Sequence, residues 1–522
     1  MKMARAVSIA ALACAMVWLA ACSSSGGQNT SGNAGGPGGA GSSSGTGASA
    51  GNGGNGDAIH YDVFLNFAAP EYPADGGKGK GVLLEKAGIQ GIDFTVTLAS
   101  GADYFTKLNL KAASGELPDY FSVDIPTMTR FADEGMIRPL DDLIDKAPVL
   151  KSTLRESDLE AIRYNGKIYA LPVGYRPEPF NGPSIDGFLI RKDWLANVGL
   201  EQPKTLEELH EVLRRFTFDD PDGNGVDDTF GISAEKSTNQ YPTKFETVFG
   251  AFGVIPHFWH NVDGRLKQGW VLPETKEALT VLQQWYAEGL IDPDFPIMER
   301  KQLEEKFINS KVGIITASGF WMTPAQPQNA AIKKLTPQAE MAILPPPVGP
   351  GGRSGYPDAG PNYGNLKALS AKAENPEKWF ELLNWQATDE GQFLVFGLEG
   401  EHYTYDREKN LVSQKVTYSD LYAEGFSNPI RFFQVVDRRW LDNEESREGI
   451  MIVNNHTIEN EFWKTVPAML KYPDLPLLWS EYLVKIVTGI WTVDKWEEFV
   501  EKYYSQGGKE VEDEVNEAWS GQ

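Results

Sequence analysis

The stretch from Tyr164 to Leu200, YNGKIYALPVGYRPEPFNGPSIDGFLIRKDWLANVGL, sets the strongest limit on what this chain can fold into. Two apolar β-type runs, Ile168 to Val173 and Gly187 to Arg191, flank a Pro, Gly and Asn-rich bridge, and a helical pattern begins near Asp193. Such a bridge reads as a crossing between two lobes, with function expected in the cleft beneath it. Length agrees with this. At roughly 100 to 200 residues per domain, 522 residues call for two or three units rather than one core.

The N-terminus gives the compartment. Lys2 and Arg5 form a positive start, Ala6 to Leu19 an apolar run too short to span a membrane stably, and Leu19-Ala20-Ala21-Cys22 a small-residue cleavage site, so residues 1–21 read as a secretory signal peptide. The Leu-Ala-Ala-Cys ending resembles a bacterial lipobox, which implies a lipidated Cys22 as the new N-terminus and a membrane anchor without a spanning helix. The only other cysteine, Cys14, is lost with the signal, so no disulfide is available and stability must come from packing or bound ions. Residues 23–57 are almost entirely Gly, Ser, Ala and Asn and read as a flexible tether.

A formal net charge of −24 argues against nucleic acid, whose phosphates would be repelled. The 14 Trp supply many flat apolar faces for a core or for stacking. From Ile59 the pattern runs strand, helix, strand, helix, strand through Val123, an α/β unit whose ligands gather at the carboxyl ends of its strands. Phe67, Tyr72 and Asp124 are expected there. Beyond the bridge, Thr205 is placed to cap a helix, with Glu208 three residues on. The aromatic, Gly-rich run Lys244 to Leu266 contains Trp259 beside a Pro-containing turn, and Lys311 to Thr316 reads as a strand ending in Ala317-Ser318-Gly319-Phe320-Trp321. Trp259 and above all Trp321 are candidate stacking surfaces, since a Gly at a strand end permits close backbone approach to a ligand. His257 and His260 have no third ligand nearby and read as ordinary histidines. Tyr363 lies in the Gly/Pro/Asn loop from Tyr356 to Asn365, and Asn375 is placed to cap a helix beginning at Pro376.

The sharpest chemical motif is DDPDGNGVDDTFG, Asp219 to Gly231. Asp220, Asp222 and Asn224 stand at alternate positions, Gly225 at the turn, then the Val226 carbonyl and Asp228, a spacing that wraps a short loop around a hard cation such as calcium. Gly231 stands where an EF-hand has its bidentate Glu, so water or an outside ligand must complete the shell. The alternative is an Asx-rich turn that binds nothing.

SGELPD (Ser114 to Asp119), NGKIYALP (Asn165 to Pro172), FLIRKDWLANVGL (Phe188 to Leu200), PKTLEEL (Pro203 to Leu209), the DPDGNG loop, KVGIITASGFW (Lys311 to Trp321) and ATDEGQ (Ala387 to Gln392) occur in the order and spacing of a known family. The chain resembles the family 1 extracellular solute-binding proteins, lipoprotein receptors of ATP-binding cassette importers for carbohydrates, and most nearly the large oligosaccharide-binding branch with a calcium loop. The resemblance implies a periplasmic-binding-protein-like α/β fold of two lobes and a multi-segment hinge. It divides the chain as 58–172 plus about 342–388 for lobe 1, about 187–341 plus 389–522 for lobe 2, and 173–186 for the bridge. It also implies a monomer that closes on a sugar and delivers it to permease subunits, with calcium on Asp220, Asp222, Asn224, Val226 and Asp228. In that branch a Glu often follows the last Asp, where this chain has Thr229. Tyr175 and Arg176 would sit on the cleft floor. A surface glycosidase is the main rival and a tethered adhesion module the third reading. No GxSxG, HExxH or P-loop occurs, and no carboxylate pair stands out.

Overall fold

A computed structural model describes residues 58–175, 186–238, 242–358, 366–436 and 443–520. Signal, Cys22 and tether lie outside the described residues, as do Arg176 and Tyr363; of Tyr175 only the backbone is described.

In chain order the strands are β1 (Ile59–Asn66), β2 (Ile92–Ala99), β3 (Tyr120–Val123), β4 (Ala170–Leu171), β5 (Gly174–Tyr175), β6 (Asp186–Arg191), β7 (Phe230–Ile232), β8 (Trp259–Val262) and β9 (Arg265–Gln268). They continue with β10 (Val312–Ser318), β11 (Met341–Ile343), β12 (Tyr356–Pro357), β13 (Leu366–Leu369), β14 (Tyr403–Asp406), β15 (Leu411–Gln414), β16 (Val435–Val436) and β17 (Thr457–Ile458). Two sheets organise the body. The first has the order β2-β1-β3-β13-β4, the second β11-β6-β10-β7.

The first sheet is built as its sequence pattern requires. β1 and β2 run parallel in register from Ile59 opposite Ile92 to Asn66 opposite Ala99, and the alternation in Ile92–Ala99 buries Ile92, Phe94 and Val96 on one face. β13 adds on antiparallel to β3, with Leu366 opposite Val123. Its core centres on Trp379, fully buried, whose ring lies 4.9 Å from Tyr61, 5.3 Å from Tyr120 and 4.9 Å from Phe432. Residues from Leu394 to Val435 also feed this core, including Leu421, Phe426, Ile430 and Phe433. The sequence pattern gave that segment to the second lobe, because aromatic composition tells core from surface and not one core from another.

The second sheet packs its apolar strands against the helix Leu206–Phe218 and the C-terminal helices. Thr205 caps that helix as expected: its hydroxyl accepts the Glu208 amide at 3.1 Å while the Glu208 carboxylate accepts the Lys204 amide at 2.6 Å. Asn375 behaves differently. It sits at the start of its helix with φ 42 and no side-chain cap, and its carbonyl accepts the Tyr61 hydroxyl at 2.8 Å. β11 pairs with β6 in this second sheet, so the return to the first sheet comes with β13.

The chain passes between the two bodies after Tyr175, after Asp358 and after Val436, and the residues on either side of each passage belong to different cores or sheets. On the first body the passages gather where β3 ends, since Leu366 faces Val123 and Leu171 faces Lys367. On the second they gather where β10 ends: Asp186 faces Ser318, the Tyr356 hydroxyl accepts the Phe188 amide at 3.2 Å, and the Asn443 amide group donates to the Met322 carbonyl at 2.8 Å. The carboxyl edges of the two sheets are thereby tied to one another.

Candidate ligand-binding site

Both carboxyl edges carry polar and aromatic groups. On the first, Phe67 follows β1 directly, half-buried, its ring edge-on to Tyr422 at 5.6 Å. Asp124 follows β3, and its Oδ1 accepts the Thr127 amide at 2.8 Å, capping the helix Ile125–Asp133. Tyr72 is half-buried against the same core and its hydroxyl, raised above its ordinary value chiefly by burial, has no hydrogen-bond partner.

Two cations that no sequence motif marks stand on this edge. Lys367, second residue of β13, is buried and its Nζ donates to Ser122 Oγ at 2.9 Å. Arg431 donates from Nη2 to Gln434 Oε1 at 3.0 Å. Burial, then the charge of Arg431, pushes Lys367 down to about 7; burial pushes Arg431 down to about 10, against the pull of Tyr422 and Tyr418. The turn bearing Arg431 is fixed by Gln386, whose Oε1 accepts the Phe432 and Phe433 amides at 3.0 and 3.1 Å and whose Nε2 donates to the Ile430 carbonyl at 2.7 Å.

The second edge has the opposite balance. Asp186 opens β6, Glu235 follows β7, and Glu246 begins the helix Glu246–Gly250. Glu235 accepts from Lys244 Nζ at 3.2 Å and from Arg300 Nη1 at 3.4 Å, while Arg300 also donates to the Thr316 carbonyl at 3.1 Å and to Glu304 at 3.0 Å. Burial raises Glu246 to about 7, with Glu235 and Asp186 adding to the rise and Lys244 opposing it. Asp186 reaches solvent, yet desolvation by surrounding protein and the charge of Glu235 raise it against the pull of Arg300. Beside these groups His257, lowered to about 4 chiefly by burial, contacts Thr243 Oγ1 at 3.3 Å, and Phe258 meets the half-buried Trp463 edge-on at 5.4 Å.

The two tryptophans named from the sequence are differently placed. Trp259 is 3% exposed in the second core, its backbone amide donating to Asn460 Oδ1 at 2.7 Å, so it is a packing residue and not a stacking surface. Trp321 does close β10, but its ring is 6% exposed, packed 6.1 Å from Phe307 and covered by the Arg300 guanidinium at 5.5 Å. The Gly before it serves packing, since a Cβ on Gly319 would lie 2.9 Å from Ile450.

In the acidic loop the chain turns at Asp220, φ 46, and Asp220 Oδ1 and Oδ2 accept the Asn224 and Gly225 amides at 3.0 and 2.9 Å. Asn224 Nδ2 donates to Asp222 Oδ2 at 2.8 Å and its Oδ1 accepts the Val226 amide at 2.7 Å, while the Val226 carbonyl accepts the Asp228 amide at 3.0 Å. Desolvation and then the Asp220 carboxylate raise Asp222, so a cation between them would relieve the pair. Asp220, Asp222 and Asn224 fit a hard cation in this respect. Asp228 is paired with Lys311 Nζ and held below its ordinary value by it. Neither later position helps: the Thr229 hydroxyl is buried on the Phe216 carbonyl at 2.6 Å, and a Cβ on Gly231 would lie 2.7 Å from the Leu213 carbonyl.

Among the described residues another cluster, Glu401, His402 and Glu424, brings potential ligand atoms within 4.8 Å of one another. His402 Nδ1 accepts the Leu398 amide at 2.9 Å, which places the ring proton on Nε2, facing the carboxylates. That nitrogen is a donor, and Lys78 Nζ already sits 2.6 Å from Glu401.

Comparison with known proteins bears on this arrangement. Residues 83–393 match the family described as bacterial extracellular solute-binding protein. The polygalacturonan/rhamnogalacturonan-binding protein YtcQ of Bacillus subtilis is 26% identical over 79% of this chain and 82% of its own length. Among solved structures, the alginate-binding protein AlgQ2 superposes with a TM-score of 0.69 at 20% identity, covering 89% of this chain and 98% of that one. The Streptococcus pneumoniae ABC-transporter substrate-binding protein FusA, in complex with kestose, gives 0.69 at 20% identity over 88% and 99%. These likenesses define a periplasmic-binding-protein-like α/β fold.

Proposed function

The chain belongs to the bacterial extracellular solute-binding protein family, a family of non-catalytic carbohydrate-binding components of ABC transport, and we propose that it captures an oligosaccharide between the two carboxyl edges and hands it to the permease subunits of an importer. One observation carries this reading: the three passages tie together two sheet edges, each bearing aromatic and charged side chains from separate segments. Such edges close by hinge motion about short crossings, and a sugar offers them apolar ring faces and hydroxyls together. YtcQ, which binds polygalacturonan and rhamnogalacturonan, and FusA, seen with kestose, support an oligosaccharide over a small solute. Phe67, Tyr72, Asp124, Tyr175, Arg176 and Tyr363 are retained as candidate contacts, joined by Asp186, Glu235, Glu246, Arg300, Arg431 and Trp463.

Two further parts belong to the proposal. Cys22 carries the lipid that holds the protein to the membrane, with residues 23–57 giving it reach. Calcium binds Asp220, Asp222, Asn224 and the Val226 carbonyl in a structural role. Calorimetric titration with mono- and oligosaccharides, run beside a cleavage assay, tests the function. Saturable binding without turnover is expected, and turnover of any bound glycan would overturn the reading.

A further inference from the structure

The two edges differ in the sign of their charge. The second gathers Asp186, Glu235 and Glu246 around Lys244 and Arg300, acceptors suited to sugar hydroxyls. The first gathers Lys367 and Arg431 beside the rings of Phe67 and Tyr422. Its acids are turned to other tasks or lie further out: Asp124 caps a helix, and Glu71 is exposed and acts on Tyr422.

We propose that Arg431 and Lys367 form a carboxylate subsite on the first edge, and that the ligand is an acidic oligosaccharide carrying uronate units. This rests on the oligosaccharide reading above and narrows it. An Arg fork matches a carboxylate with two parallel hydrogen bonds, and a Lys beside it adds a point charge. Water is scarce around both groups, so the attraction is screened less than on the open surface. The like charges of Lys367 and Arg431 oppose one another, as the lowering of Lys367 by Arg431 shows, and an anion between them turns that opposition into binding. The aromatic rings supply the apolar partner that a pyranose face requires. A net charge of −24 does not decide the matter, because binding responds to charges within about a Debye length, roughly 8 Å in physiological salt.

The test is calorimetric titration of the full-length mature protein with trigalacturonate, with the same trisaccharide after carboxyl reduction, and with kestose. Trigalacturonate should bind about tenfold or more tightly than its reduced form, and salt should weaken the acidic sugar alone. Arg431→Gln and Lys367→Met should each cost about tenfold for trigalacturonate and under about threefold for any reduced sugar that binds, with Arg431→Lys recovering part of the loss. Equal or tighter binding of the reduced trisaccharide, or equal losses for both sugars in the variants, overturns the subsite. If Arg431→Gln does not fold, the wild-type comparison of acid with reduced sugar decides alone. Binding of kestose only would overturn the acidic class and leave the oligosaccharide reading standing; binding of none of the three would overturn both.

Discussion

Replacing Glu246 with Gln should stabilise the protein at alkaline pH and change little near pH 4.5. Burial, with the carboxylates of Glu235 and Asp186, raises this group from its ordinary 4.5 to about 7. The folded state therefore binds the proton more tightly than the unfolded chain does. The stability this confers is complete below about 4.5, falls as pH rises, and is gone above about 7. A rise from 4.5 to about 7 corresponds to roughly 3 kcal/mol at about 1.36 kcal/mol per pH unit. The side chain is partly exposed, so solvent screening reduces this to about 1 to 2 kcal/mol. Glutamine keeps the shape and has no charge to desolvate. Thermal melts of wild type and Glu246→Gln from about pH 4.5 to 8.5 should show a gap that opens with pH to roughly 2 to 8 °C, for a cooperative unit of 150 to 250 residues. A gap that is the same at every pH, or a variant less stable at pH 8, would refute the electrostatic account of this edge.

Calcium should raise the melting temperature and a chelator should lower it, with Asp222→Ala abolishing the difference; an unchanged midpoint in wild type would count against the loop as a cation site. Because Lys311 holds Asp228 by an ion pair, Lys311→Met should free that carboxylate and tighten calcium several-fold in a titration, and weaker binding would show that Asp228 is no ligand. Trp379→Ala should cost about 3 to 5 kcal/mol in urea unfolding, since it empties the centre of four ring contacts, with Tyr61, Phe94, Tyr120 and Phe432; a loss under about 1 kcal/mol would mean that the first core does not depend on it.

Much of the fold could be read along the chain because its signals are local. Alternation gave β1 and β2, the Thr205 and Glu208 pair gave the helix that packs on the second sheet, and the bridge from Tyr164 to Leu200 contains the first passage between the bodies. What stayed hidden depends on contacts between distant segments. β13 and the residues from Leu394 to Val435 join the first body from more than two hundred residues away, and no periodicity within them names the partner. The run from Lys244 to Leu266 looked like ligand-facing surface because it is aromatic, yet Phe245, Phe249, Phe252 and Trp259 are core, and the half-buried ring beside Phe258 comes from Trp463.

The edges themselves explain why their charged residues went unmarked. Asp186, Glu235, Glu246 and Arg300 come from four separate elements, and each alone is an ordinary surface charge in sequence. What makes them a group is uncharged. Gly250, four residues past Glu246, packs so closely on Gly355 that an added Cβ would lie 1.9 Å from its carbonyl, and the next residue, Tyr356, binds β6 through its hydroxyl. That contact sets the helix bearing Glu246 against the strand that begins at Asp186. On the first edge Gln386 does the same for Arg431, spending every hydrogen bond it was shown to make on the backbone around that residue. A binding group held in this way needs little reordering when a ligand arrives, and that lowers the entropic cost of capture. The residues that prepare the site are thus a glycine and a glutamine, types that no search for carboxylates, cations or aromatic platforms would single out.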